Sequence, residues 1–356
     1  RLVGSEMCIR DSTGTGSNGI YLGSQSIVAG NTTSNPSAGG TVTINATGNT
    51  SGYFGLRQNA SSVVAFDAIS ITATAIGNHA YQLQGSGGKV QSASSITISA
   101  TQGSWGLTMY DNSFIQSTGG NIAVTASGTS GGTYMDTTGG IYATSNTATP
   151  TATPTAGGTL TINATGNSTY GQGFYANGAF SLVSYGALSL TGTAQGTGGD
   201  YRGIYLAANS KVLAWGGITL TGNAAPNGVN SATGGYYGIL LYTTGITIQS
   251  FNAGVDIFGS AAQYDGIYIY DGSIKIWGKT NVNLTGIGLG RSGIWTAANG
   301  SGGGIKSTNG DVVLKGISNA TNYAGVYLEV PVEATIGSVT VSGAGKLNGI
   351  RFDTGY

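Results

Sequence analysis

One apolar position recurs along nearly the whole chain and limits the fold more than anything else in the sequence. Val42, Ile69, Ile96, Ile122, Leu160, Leu188, Ile218, Val255, Val282, Val312 and Val339 each open a short alternating run. Their average spacing is about 30 residues, within the range of stacked-repeat architectures. Val42 and Ile44 flank Thr43, Ile69 and Ile71 flank Ser70, and Val282 and Leu284 flank Asn283. Period two with one apolar face describes a half-buried strand. GGTVTINATGN at 39–49 and GGTLTINATGN at 157–167 differ only at Val42 and Leu160.

The full unit is spelled most clearly at 203–222, GIYLAANSKVLAWGGITLTG. It reads as a first strand at 203–206, a second at 212–215 and a third at 218–220. First strands pair apolar residues in the same way, as in Ile20/Leu22, Leu107/Met109, Ile204/Leu206, Ile267/Ile269 and Val326/Leu328. Three such short strands cannot bury an apolar face alone. Stacking each coil on the last, at roughly 4.8 Å, closes a continuous core. The expected fold is all-β, a right-handed parallel β-helix (solenoid) of about 11 coils, each of about 30 residues with three short strands. Such a rod is roughly 50 Å long. A propeller blade needs about 40–45 residues and an outer-membrane barrel needs strands of about 9–11, so neither fits. Asn59, Asn112, Asn177, Asn209, Asp271 and Asn299 follow the first strands, where residues tolerant of positive φ belong. Two long gaps hold loops. SNTATPTATPTA, between Ile141 and Leu160, is read as replacing a second strand, because its prolines cannot donate to a ladder. NAAPNGVNSATGGYY lies between Leu220 and Ile239.

Low charge with 65 glycines could mean disorder, but 39% of the residues are hydrophobic and they are placed periodically. Thirteen basic and thirteen acidic residues cancel, without the basic patch that nucleic acid requires. No run approaches the roughly 18 apolar residues of a membrane-spanning helix. Cys8 is the only cysteine, so no intrachain disulfide can form. Residues 1–12, RLVGSEMCIRDS, stand outside the repeat and resemble read-through of a sequencing adapter. Residues 13–356 are expected to form a single parallel β-helix, an uncapped piece of a larger protein.

Because β-helices also carry polysaccharide lyases and hydrolases, the acids need a test. Asp265 and Asp271 bracket the strand GIYIY, which puts them roughly 20 Å apart along an extended chain. Glycosidase carboxylates sit about 5–9.5 Å apart. Asp256 stacks between Thr219 and Asn283, and Asp111 and Asp271 share a turn position several coils apart. His79, the only histidine, reads as a surface-loop residue without a partner. No residue is assigned a catalytic, cofactor or metal role.

The outward column of the first strand is distinctive: Tyr21, Arg57, Gln82, Thr108, Tyr142, Tyr175, Tyr205, Leu240, Tyr268, Trp295, Tyr327 and Arg351. Aromatic residues are good strand formers and stack on one another, and an exposed stripe of them can also be a binding surface. The candidate recognition stripe is Tyr142, Tyr175, Tyr205, Tyr268, Trp295 and Tyr327. A shorter second-strand column reads Tyr185, Trp215, Gln249 and Trp277. Lys275, Lys306 and Glu333 are expected in one outward column of the second strand, with Lys306 opposite Glu333.

The repeat, with its GIY, its GG-x-V/I/L-T-I/L and its TATG-like exits, resembles the filamentous-haemagglutinin type of bacterial adhesin over most of 13–356. The resemblance implies a rod-shaped, non-enzymatic adhesin in the extracellular space or at the bacterial surface. It further implies host or community glycans or surface proteins as ligands, and export through an outer-membrane partner. A polysaccharide-active enzyme on the same fold and a pure stalk or spacer are the competing readings.

Overall fold

The computed structural model describes residues 2–3, 7–14, 18–30, 39–145, 155–167, 171–196, 201–207, 209–224 and 236–353. Among them there is no helix. The strands form three twelve-stranded sheets in which each strand pairs with its counterparts one coil before and one coil after. Every pairing between strands is parallel, as in Leu188–Ala194 beside Ile218–Ala224. The architecture is therefore a three-sheet parallel β-helix. We call the sheets first, second and third after the order of their strands in the unit Arg202–Leu206, Lys211–Ala214, Ile218–Ala224.

The third sheet sets the frame. Its strands run seven residues in most coils, longer than the apolar alternation alone had suggested, because small residues extend the inward face. Val42–Gly48, for example, buries Val42, Ile44, Ala46 and Gly48 in turn. The register of the column follows the sequence expectation rung by rung, Val42 beside Ile69, Ile69 beside Ile96, and on to Val312 beside Val339. Ten of its eleven members are buried; Val339, on the last third-sheet strand, is 44% exposed. Each buried Val, Ile or Leu contributes roughly 1.5–3 kcal/mol relative to exposure. Together with the inward residues of the other sheets they form one core along the axis.

Within the first residues Leu2–Val3 pairs with Ser26–Ala29, and Met7–Gly14 pairs with Val42–Gly48. The register slips between Ile9 and Ser12, where the segment lacks the period of the repeat.

The corner between the third and first sheets is built from glycine. Gly203, second in its first strand, lies beside Gly222 and Asn223, and a Cβ added there would meet Asn223 N and Gly222 C at under 3.0 Å. In the facing column of the third sheet, Ala46, Ala73, Ala100, Ala126 and Ala164 give way to Gly192, Gly222, Gly259, Gly286, Gly316 and Gly343. At Gly192, Gly222 and Gly286 an added Cβ would strike the carbonyl of the next first-sheet glycine. The GIY of the repeat is thus a backbone-contact motif at its glycine.

The corner between the second and third sheets is held by serine. Ser117 Oγ donates to Gly120 O (2.8 Å) and accepts from Gly120 N. Ser250 and Ser307 accept in the same way from Ala253 N and Gly310 N. Burial without a partner costs a hydroxyl one to a few kcal/mol, so these bonds explain why serine is tolerated inside. At the turns after the first strands, Asn209 (φ 59°) adopts the expected left-handed conformation; elsewhere a neighbour does so, Ala60 (φ 47°) after Asn59 and Asp111 (φ 58°) before Asn112, and Asn177, Asp271 and Asn299 do not.

The insertion after Ile141 is placed differently from the sequence reading. Gly131–Thr137 is the first strand of that coil and Gly140–Ala143 the second, paired with Phe114–Ser117 and Ser181–Ser184. The loop therefore leaves between the second and third strands, with Thr144 bridged to Gly157; residues 146–154 of it, and 225–235 of the other insertion, lie outside the described residues.

Candidate recognition surface

The outward column of the first sheet holds as a ladder, with one exchange. Its register runs Tyr21, Arg57, Gln82, Thr108, Tyr134, Tyr175, Tyr205, Leu240, Tyr268, Trp295, Tyr327, Arg351. Tyr134 occupies the rung expected for Tyr142. Tyr142 instead sits in the second sheet between Gln116 and Val183, in a buried apolar cluster with Val183, Leu213 and Trp215. The cause is the insertion: with no second strand expected in that coil, GIYA at 140–143 matches the GIY signature better than GGTYMDT at 131–137. Thr133 and Met135, both buried around the outward Tyr134, were the available signal.

Along this ladder the rings pack on one another. Tyr134 and Tyr175 are stacked at 5.5 Å, and Tyr175 and Tyr205 at 4.5 Å with 11° between planes. Leu240 interrupts the series, and the aromatic path steps aside through Tyr242 and Tyr270, 4.8 Å apart. It returns at Tyr268, which lies 5.8 Å from Tyr270 and 5.3 Å from Trp295. Trp295 then meets Tyr327 edge-on at 5.6 Å and 82°. Aromatic pairs of this kind contribute about 0.5–1.5 kcal/mol beyond area burial. Stacking hides much of the rings: Tyr205 is only 6% exposed, while Tyr175, Tyr268, Trp295 and Tyr327 are half-buried.

Arginines cap the rings that remain. Arg202 lies 4.8 Å from the Tyr205 centroid, Arg351 4.9 Å from Tyr327, and Arg57 5.8 Å from Tyr21. Arg291 is set among Tyr264, Trp295 and Tyr323 at 5.0, 4.7 and 5.1 Å. It takes the place of a ring in a corner series that begins with the buried stack of Tyr201 on Tyr236, 4.8 Å apart. The surface consequently presents ring edges, phenol hydroxyls and guanidinium groups. Burial raises the Tyr205, Tyr237 and Tyr268 phenols to about 12, so they are neutral donors at physiological pH.

The acids singled out in the sequence are each held by hydrogen bonds. Asp265 is fully buried; its Oδ1 accepts from Ser292 N at 2.8 Å and its Oδ2 lies 3.8 Å from Arg291. Burial pushes it up to about 7, with Arg291 and the Ser292 amide opposing. Asp271 accepts from both Ser273 N (2.8 Å) and Ser273 Oγ (2.6 Å), closing its own turn. Asp256 lies between Thr219 and Asn283 as expected, and accepts from Asn283 Nδ2 at 2.7 Å. Asp111 accepts from Gly85 N. Among the described residues no three metal-ligating side chains converge. His79 departs from its expectation: it is half-buried, with Nδ1 2.8 Å from Thr108 Oγ1 and its ring 5.4 Å from Phe54. Burial, then Arg57, lowers it to about 4.

The second-strand expectations need two corrections. The column through Gln249 and Trp277 continues to Leu213 and Val183, whereas Trp215 stacks on Phe251 at 4.7 Å, one pleat further along. Lys306 does face Glu333, but beside Trp277; Lys275 pairs in register with Gly304, two residues earlier.

No protein-family model matches the chain, and neither a curated protein nor a solved structure does. What the geometry defines is a class, the parallel β-helix with an outward aromatic ladder. No helix among the described residues is long and apolar enough to cross a membrane.

Proposed function

We propose that the chain is a structural and adhesive segment of a large secreted or surface-anchored bacterial adhesin, of the filamentous-haemagglutinin type. In this reading it works outside the cell or at its surface and meets glycans or partner proteins through the first sheet. The observation that carries the proposal is the ridge of Tyr, Trp and Arg along that sheet, on a rod with few other charges. Hydroxyl and guanidinium groups at fixed spacing suit the hydroxyl-rich surface of a glycan, and arginine adds planar donors for any carboxylate. A pure spacer is the second reading, favoured by the 4.5 Å stack of Tyr175 on Tyr205, which turns two ring faces inward on each other.

Replacing Tyr175, Tyr268 and Tyr327 together with Thr separates the two readings, since Thr also suits strands. The adhesive reading expects glycan-array binding by the purified chain to disappear while the β-sheet circular dichroism remains. Undiminished binding by the folded variant, or no binding by the parent chain, puts the spacer ahead.

A further inference from the structure

A second, separate surface lies on the second sheet. Trp277 has Lys275 two residues before it and Lys279 two residues after it on its own stretch of chain, and Lys306 beside it on the next rung. The Lys275 ammonium is 5.1 Å from the Trp277 ring. Three of the chain's seven lysines thus surround one indole. The acid on this patch is Glu333, which pairs with Lys306 at 2.9 Å; Lys275 and Lys279 have no acidic partner among the described residues. Gln249, Phe251, Trp277, Gly278, Lys279 and Lys306 line a groove of about 250 Å³.

From this arrangement we propose that the Trp277 groove binds an acidic polysaccharide, of the type carrying one carboxylate per sugar ring. The groove is smaller than the roughly 300–1,000 Å³ of a drug-sized site, so it takes one ring of a passing chain. An indole beside a ring-sized groove offers its electron-rich face to sugar C–H groups, while the ammonium groups on either side meet the carboxylate. Three lysines less one paired glutamate leave about two free positive charges. That is a low charge density, matched to one carboxylate per ring and not to a heavily sulfated chain. The strand carrying Trp277 is paired on both sides, so no edge is open to an extended acidic peptide. A nucleic acid would call for a broader basic footprint than a chain of zero net charge supplies. The proposal is independent of the first-sheet ladder, and its variants leave that ladder untouched.

The test is affinity electrophoresis and calorimetry of the full chain with polygalacturonate, dextran sulfate, neutral pullulan and polyglutamate. Polygalacturonate should bind, weaken with salt, and lose about tenfold or more in affinity in Trp277→Thr and in the double variant Lys275→Gln/Lys279→Gln. Lys315→Gln, an exposed lysine of the third sheet, should bind as the parent does. Circular dichroism establishes that each variant is folded; should Trp277→Thr unfold, Trp277→Phe with the lysine pair decides instead. The proposal is overturned if polygalacturonate does not bind, if the groove variants bind unchanged, or if dextran sulfate is preferred. Polyglutamate binding as tightly as polygalacturonate also overturns it, by reducing the patch to charge alone.

Discussion

Lys306 Nζ lies 2.9 Å from Glu333 Oε1, joining two neighbouring rungs of the second sheet in the register anticipated from the sequence. Hydrogen bonds from Lys306 and then Thr335 hold the Glu333 carboxyl below its ordinary 4.5. A depressed acid stabilises the fold above its unfolded pKa and loses that contribution as pH falls through the folded one. Both side chains are solvated, so Glu333→Gln should leave the thermal midpoint at neutral pH within experimental error, and should flatten only the acid limb below about pH 4.5. A fall in the neutral-pH midpoint of several degrees would contradict this.

Asp265 has the opposite sign. Its folded pKa, about 7, stands above the ordinary 3.8, so the folded state holds a proton that the unfolded chain releases. Stability should therefore decline as pH rises between about 4 and 7, by an amount on the order of a few kcal/mol. Asp265→Asn keeps an acceptor for Ser292 N and removes the titration. In denaturant melts the parent should lose stability relative to the variant between pH 5 and pH 8, His79 titrating alike in both; a parent–variant difference that does not change with pH would refute the assignment.

His79 works against that trend. An imidazole held near 4 by burial and by Arg57 favours the neutral form, so its contribution is complete above about 6.5 and is lost as pH falls toward 4. An NMR titration of this single histidine should show a midpoint near 4. A midpoint near 6.5 would mean that the ring is solvated after all.

At the glycine corner, Gly222→Ala should destabilise by about 1–3 kcal/mol, because the new methyl meets Gly238 O and Ile239 Cγ1 at under 3.0 Å. Ala126, in the same column three coils earlier, is accommodated at 1% exposure. Equilibrium denaturation of Gly222→Ala beside Ala126→Gly tests the contrast: the first should cost stability through overpacking, the second only by the roughly 0.5–1 kcal/mol of a glycine in a strand. A neutral Gly222→Ala would show that the corner yields.

The third sheet was legible because its strands carry two bulky inward residues and then a small one, so that Val42, Ile44 and Ala46 admit a single register. The second sheet was not. Its strands offer one bulky inward residue followed by Ala, Ser or Gly, as in Ile276 and Gly278, and a slip of two residues costs the sequence pattern almost nothing. That slip misplaced Lys275 relative to Lys306 and set Tyr185 and Trp215 beside Gln249. In the first sheet the ladder was readable at the GIY of 19–21, 203–205 and 266–268, whereas the GIY of 140–142 belongs to the second sheet. It failed at Tyr134, whose strand has Thr133 in place of the first aliphatic. His79 was missed for a different reason: its partner Thr108 is 29 residues away, one coil on, and no local pattern links them.

The alanine-to-glycine change in the third sheet bears on how such a rod can grow. The near-copies at 39–49 and 157–167 both place alanine at this position, Ala46 and Ala164, and both lie on the alanine side of the change. The two kinds of coil meet directly where Ala164 lies beside Gly192. The clash that a methyl at Gly192, Gly222 or Gly259 would cause is with the carbonyl of the first strand that follows it in the chain. A third strand and the first strand after it are therefore a matched pair, and a duplication that keeps the pair together can lengthen the rod, whereas one that splits it cannot without repacking the corner.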